Sequence, residues 1–245
     1  MADSLNILME MSSVYEEEGW PDLCPHATRL DFRSLEGTSC YCGDDASANI
    51  REAISGLGAS GIHWIDSGDY HYLSLFWLEK LRDPFSLVLF DHHPDMQEPL
   101  FPMLSCGSWV KEALRLSNLR SALLLGISPA LLSEAAGDDR VRAICEGDPL
   151  LDEPEAVAAL LPRDVPVYFS IDKDVLGGEY ARTGWDQGSM SLDTLAALVR
   201  SIRSGRRMAG ADICGELPES KGAMPDDLRV NLDTNRRLLS ILQMS

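Results

Sequence analysis

The sequence predicts an α/β fold: a single domain over residues 1–245 in which a parallel sheet is wound with crossover helices. Three observations carry this. Short apolar runs alternate with amphipathic stretches along the whole chain, which is the pattern of strand–helix–strand units. The connections between them are of ordinary length. No internal repeat, low-complexity linker or composition shift marks a domain boundary.

Taken in order, Leu5–Met9 is the opening strand. The Gly43-Asp44 turn leads into a helix over Asp45–Ile54, followed by a strand at Ile62–Ile65 and a helix over Tyr72–Leu81 that stops before Pro84. Phe85–Phe90 is almost wholly apolar, as a strand covered on both faces should be. Trp109–Leu116 reads as a helix and Ala122–Ile127 as another buried strand, with Pro129 opening a helix behind Ser128. Val141–Cys145 is a short strand, Glu153–Leu161 a helix and Val165–Ile171 a strand. A helix at Leu192–Ile202, a strand at Arg207–Ile213 and a last helix at Asp226–Leu242 complete about seven or eight strands. Residues 94–107 and 176–190 are the long loops, where an α/β protein often carries its function.

Hydrophobic residues make up 45% of the chain, an ordinary globular value that argues against disorder. No apolar run reaches the roughly 18 residues needed to span a bilayer. Asp3 stands where a signal peptide would carry positive charge, and Glu10 interrupts any apolar leader, so a cytoplasmic protein is expected. The six cysteines lack C-x-x-C spacing, and free thiols are expected, with Cys40, Cys42 and Cys145 buried. A net charge of −18 argues against nucleic acid or an anionic membrane as partner and is compatible with a cationic small-molecule substrate.

The chemistry collects at strand ends. Phe85–Phe90 runs into Asp91-His92-His93-Pro94-Asp95, and in extended chain Asp91, His93 and Asp95 share one side while His92 faces away. Two carboxylates and an imidazole there make a mixed oxygen–nitrogen metal site. Val165–Ile171 ends in Ser170-Ile171-Asp172-Lys173-Asp174, which sends both aspartates one way and Lys173 the other. Four carboxylates brought together repel unless cations neutralise them, so two divalent ions fit better than one. Ser67-Gly68-Asp69-Tyr70-His71 follows a third strand and places His71 on a rigid first helical turn. His26 and His63 end no strand beside a second ligand and read as structural.

The order G-D-x-H, D-x-H-x-D, S-x-D-x-D and then a late glutamate resembles the arginase, agmatinase and formimidoylglutamase (ureohydrolase) superfamily, from about residue 40 to 220. The resemblance implies a three-layer α/β/α fold with a mostly parallel sheet of about eight strands. It implies two manganese ions, one held by His71, Asp91, Asp95 and Asp172 and the other by Asp91, His93, Asp172 and Asp174. It further implies hydrolysis of a C–N bond in a linear guanidine or amidine by a hydroxide bridging the metals. Asp174 would be the proton acceptor and Glu216 the partner of the substrate's cationic group. Relatives often form homo-oligomers, which the resemblance allows here, but no surface in the sequence can be assigned to an interface.

Four departures stand beside the resemblance. Tyr70 separates Asp69 from His71, where relatives join them. Glu216 lies one residue later than usual after Asp212. Cys106 occupies the place of a histidine that relatives carry after the D-x-H-x-D loop, and is read as a small filler or a substrate contact. Gly177-Gly178 replaces a D-P, and the loop beyond adds Trp185 and Asp186, which suit a cationic group by cation–π and charge pairing. The rival readings are a metal-binding protein of the same fold with lost or altered turnover, and an amide deacetylase-like hydrolase.

Overall fold

The computed structural model describes residues 5–98 and 101–243. Ten strands are present: β1 (Asn6–Glu10), β2 (Thr28–Asp31), β3 (Tyr41–Cys42), β4 (Ile62–Trp64), β5 (Phe85–Phe90), β6 (Leu104–Ser105), β7 (Leu119–Ile127), β8 (Val141–Cys145), β9 (Val167–Asp172) and β10 (Met208–Cys214). Eight form one sheet in the order β2-β1-β4-β10-β9-β5-β7-β8, and every pairing in it is parallel. β3 and β6 pair antiparallel in a separate ribbon. The helices are α1 (Val14–Glu17), α2 (Trp20–Leu23), α3 (Asp44–Ala53), α4 (Leu73–Leu78), α5 (Trp109–Ala113), α6 (Pro154–Ala158), α7 (Leu192–Arg203) and α8 (Pro225–Gln243).

Strand alternation explains the three layers. Leu87 and Leu89 of β5 pack with Ile50 of α3, Phe76 and Trp77 of α4 and Val110 of α5. Their neighbours Val88 and Phe90 pack on the opposite face with Val157 of α6, Leu195 and Val199 of α7 and Leu238 of α8. Successive side chains of one buried strand thus feed two separate cores. This is the three-layer α/β/α arrangement expected.

The order of the strands positions the site. From β1 the chain builds to one edge, returns through β4, crosses to β5, and builds outward through β7 and β8. β9 and β10 then fill the middle. The carboxyl ends of β4, β10, β9 and β5 therefore lie side by side, at the crevice where an open α/β sheet binds ligands.

Several local expectations are corrected. The segment after Ser128 is a 3₁₀ turn over Pro129–Ala135 rather than an α-helix. α4, α5 and α6 are shorter than their apolar pattern suggested. β2 and the β3–β6 ribbon were not anticipated: β2 is an edge strand with alternating half-buried and exposed residues, and β3 and β6 are two residues each. All six cysteines are free, but only Cys42, Cys106 and Cys214 are buried, so Cys40 and Cys145 depart from expectation. Among the described residues no helix is long and apolar enough to cross a membrane.

Candidate metal centre

Each strand end delivers its side chains through a local device. After β5, the His93 N–H donates to Asp91 Oδ1 at 2.6 Å and folds the chain back on itself. Asp95 then adopts a left-handed conformation, φ 50°, and is fixed there by Trp109, whose indole N–H donates to Asp95 Oδ2 at 2.6 Å. The D-x-H-x-D residues converge, but a turn rather than an extended run aims Asp95. After β9, Asp172 caps a short turn by accepting the Asp174 N–H at 3.0 Å. The His92 N–H donates to Asp174 Oδ1 at 3.0 Å and ties the two strand ends together. After β4, a 3₁₀ turn over Gly68–Tyr70 absorbs the extra tyrosine. His71 still points inward, 1% exposed.

Two ligand groups result. In the first, His71 Nδ1 lies 3.2 Å from Asp91 Oδ2, 3.0 Å from Asp95 Oδ2 and 3.6 Å from Asp172 Oδ2. In the second, His93 Nδ1 lies 2.9 Å from Asp174 Oδ2 and 3.5 Å from Asp91 Oδ1. Asp91 belongs to both groups, one oxygen to each. All these side chains are buried except His93, which is half-buried.

The electrostatics call for cations. Asp91 Oδ2 is buried without an aligned hydrogen bond, and His71 Nδ1 stands 3.2 Å from it, so its charge is stabilised only by a positive charge there, on the ring or on a bound ion. Burial and then the neighbouring Asp95 charge raise the Asp91 pKa. Burial and the Asp91 charge raise Asp174 to about 6. Burial opposes a charged His93 ring, but Asp174 and Asp91 overcome it and lift its pKa to about 11. Burial likewise opposes charge on His71, but Cys214, Asp91 and Asp95 raise its pKa well above the usual value. Protons on these rings do what a metal would do better. The donor set of carboxylate and imidazole fits divalent transition ions, and the residues present fit a pair of them.

Behind the ligands, the Ser170 hydroxyl donates to Asp212 Oδ1 at 2.5 Å. Its oxygen lies 2.9 Å from His71 Nε2 and accepts that N–H, leaving Nδ1 to face the carboxylates. Cys214 Sγ contacts Asp172 Oδ2 at 3.1 Å, and His71, Asp172 and Cys214 form a third group with metal-ligand spacing. The i, i+2 spacing of Asp212 and Cys214 on β10 is the sequence signal that would have found Cys214.

The ligands floor a cavity of about 150 Å³ whose upper wall includes Cys40, Tyr41, Gln97, Ser105, Cys106 and Trp185. Cys106 and Trp185 both line this cavity. Cys40 and Tyr41 join them through the β3–β6 ribbon, which brings Cys40 beside Cys106 by a backbone bond of 2.9 Å.

Glu216 and Asp186 do not fit their expected roles. Gly215 turns the chain after β10 with φ 92°, and a Cβ there would stand 2.5 Å from Asp172 Oδ1. Glu216 consequently swings behind the strand ends, where it forms a buried ion pair with Lys173 and accepts from Asn235 Nδ2 at 2.9 Å. It does not line the cavity. Asp186 is exposed and also lies outside the lining. His92 is buried, as expected of a supporting residue. His63 is structural, stacked on Trp77 with ring centroids 3.7 Å apart.

No family model matches the chain. An uncharacterized protein of Thermotoga maritima is 35% identical over 173 residues, a match spanning 70% of this chain and 65% of that protein. Solved structures cover nearly the whole chain. Formimidoylglutamase from Bacillus subtilis matches with a TM-score of 0.73 at 14% identity, over 98% of this chain and 87% of that one. Proclavaminate amidino hydrolase from Streptomyces clavuligerus matches with 0.70 at 15%, over 97% and 91%. A triple mutant of an arginase-like protein of T. brucei, bound with Mn2+, matches with 0.62 at 16%, over 98% and 90%.

Proposed function

Starting from a chain with the arginase fold, we propose that it is a binuclear-metal hydrolase cleaving a C–N bond of a linear amidine or guanidine. The observation that carries this reading is the pair of ligand groups sharing Asp91, at the centre of a sheet whose structural neighbours include an amidino hydrolase and a formimidoylglutamase. His71, Asp91, Asp95 and Asp172 would hold one ion, and Asp91, His93, Asp172 and Asp174 the other. Manganese suits the oxygen-rich donor set, and one arginase-like neighbour binds it. When bound, the ions supply Lewis acidity and make water a nucleophile near neutral pH.

The chain's own residues then do the rest. Asp174, buried on the cavity floor and fixed by the His92 N–H, accepts the proton released by the attacking water. It returns that proton to the departing nitrogen as the C–O bond forms and the C–N bond breaks. Ser170 holds the His71 ring in the tautomer a ligand needs. Trp185 and Cys106 border the reacting group.

The test is release of ammonia, an amine or urea from a panel of guanidines and amidines by metal-replete protein, with protein stripped of metal as the control. Metal-dependent release from at least one compound is expected. A protein that binds two ions per chain and releases nothing across the panel would instead favour a metal-binding role. Cys106 in the place of a family histidine, and Glu216 turned from the cavity, favour that second reading.

A further inference from the structure

Resting on the metallohydrolase reading above, we propose that the cavity selects a compact amidine or guanidine whose remaining part is short and uncharged, with Trp185 setting that limit. The first observation is charge. Above the ligands the described lining residues are two thiols, an amide, a hydroxyl, a phenol and an indole, with no carboxylate, amine, guanidine or imidazole among them. The charges close by are already engaged. Glu216 is paired with Lys173 behind the strand ends. Asp69 is bound by Lys221, by the Ser39 hydroxyl at 3.0 Å and by the Trp185 indole N–H at 3.2 Å. Asp186 lies outside the lining. Among the described residues above the ligands, a carboxylate tail would find no free cation and an ammonium tail no free carboxylate. A charge brought out of water without a partner is strongly disfavoured.

The second observation is room. The cavity holds about 150 Å³, the size of an engineered protein cavity that takes up a benzene ring. Two ions and the attacking water occupy part of that. Methylguanidine or acetamidine is of a size with such a space, whereas the chain of arginine or agmatine needs more.

The third observation is what closes the space. The Trp185 ring lies so close to the backbone at Gly68 that a Cβ there would stand 2.9 Å from Trp185 Cδ1 and 3.0 Å from Asp172 Oδ2. The ring also meets His93 edge-on, with centroids 5.9 Å apart. Its bond to Asp69 holds it there, and its outer side leaves it 40% exposed. Trp185 is thus a wall between the ligands and solvent, and removing it opens the cavity outward.

The experiment uses the full chain loaded with cobalt(II), the metal counted by elemental analysis, and follows the visible cobalt bands as methylguanidine, acetamidine, arginine and agmatine are added. Two ions per chain are expected, with methylguanidine or acetamidine shifting the bands at least tenfold more tightly than arginine or agmatine. Trp185→Ala should shrink that preference at least tenfold without changing the metal count. Trp185→Phe, which keeps an aromatic wall but not the bond to Asp69, should fall between. Arginine or agmatine binding as tightly as the small compounds, no response to the small compounds, or a preference untouched in Trp185→Ala would overturn the inference and leave the metallohydrolase reading standing. Fewer than two ions would overturn that reading and the inference with it.

Discussion

The end of β9 presents opposite solutions to buried charge on its two sides. Asp172 and Asp174 lie in a cluster with Asp91, Asp95 and the His71 and His93 rings, in which Asp91 Oδ2 has no aligned hydrogen-bond partner. Lys173, between them in sequence, faces the other way and is fully buried against Glu216, with Asn235 Oδ1 at 3.1 Å. One side carries a fixed counter-charge; the other has two imidazoles, which hold charge only while they keep their protons. On the proposed reading, bound cations take the place of the protons on those rings.

The comparison breaks most visibly on the metal-facing side. Asp91→Asn combined with Asp172→Asn removes the two carboxylates proposed to serve both ions, and metal-dependent turnover should fall by at least roughly 10³-fold. The metal-free fold should lose little stability, because burial already disfavours the charged form of both carboxylates. Equilibrium urea unfolding of the metal-free variant checks this, and a marked loss would show those aspartates to be structural. Lys173→Met should do the reverse. Leaving Glu216 buried and unpaired costs about 3–5 kcal/mol, read as a lower urea midpoint, while the folded fraction keeps its metal count.

Protons sharpen the same contrast. With the His93 pKa near 11 in the metal-free site, the ring is charged at neutral pH and must lose a proton to ligate. Metal affinity should therefore rise with pH between about 6 and 9, by roughly tenfold per pH unit for each proton displaced. Calorimetry in buffers of different ionisation heat counts those protons; affinity flat over this range would show that His93 is not a ligand. A smaller effect is expected one layer out. Ser170→Ala frees the His71 ring from its orienting hydroxyl and should weaken metal binding about 10–100-fold, with the fold intact by circular dichroism.

Much of this was legible because period-two alternation states which side of a strand each residue takes. Asp172 and Asp174 go one way and Lys173 the other, and Val88 and Phe90 separate from Leu87 and Leu89 in the same manner. What was illegible depends on geometry beyond that alternation. The left-handed turn at Gly215 decides that Glu216 faces Lys173 and not the cavity. Trp185 is pinned by Asp69, 116 residues distant in sequence, and Cys40 reaches the cavity only through a ribbon of two-residue strands. β2 carries too few buried residues for its pattern to stand out.

The central claim is that the ends of β4, β5 and β9 form one site for two cations. Metal content per chain after manganese loading and removal of excess, set beside the Asp91→Asn, Asp172→Asn protein, tests it most directly. Two equivalents in the native chain and none in the variant are the result expected. No bound metal in the native chain, or equal metal in both, would contradict it.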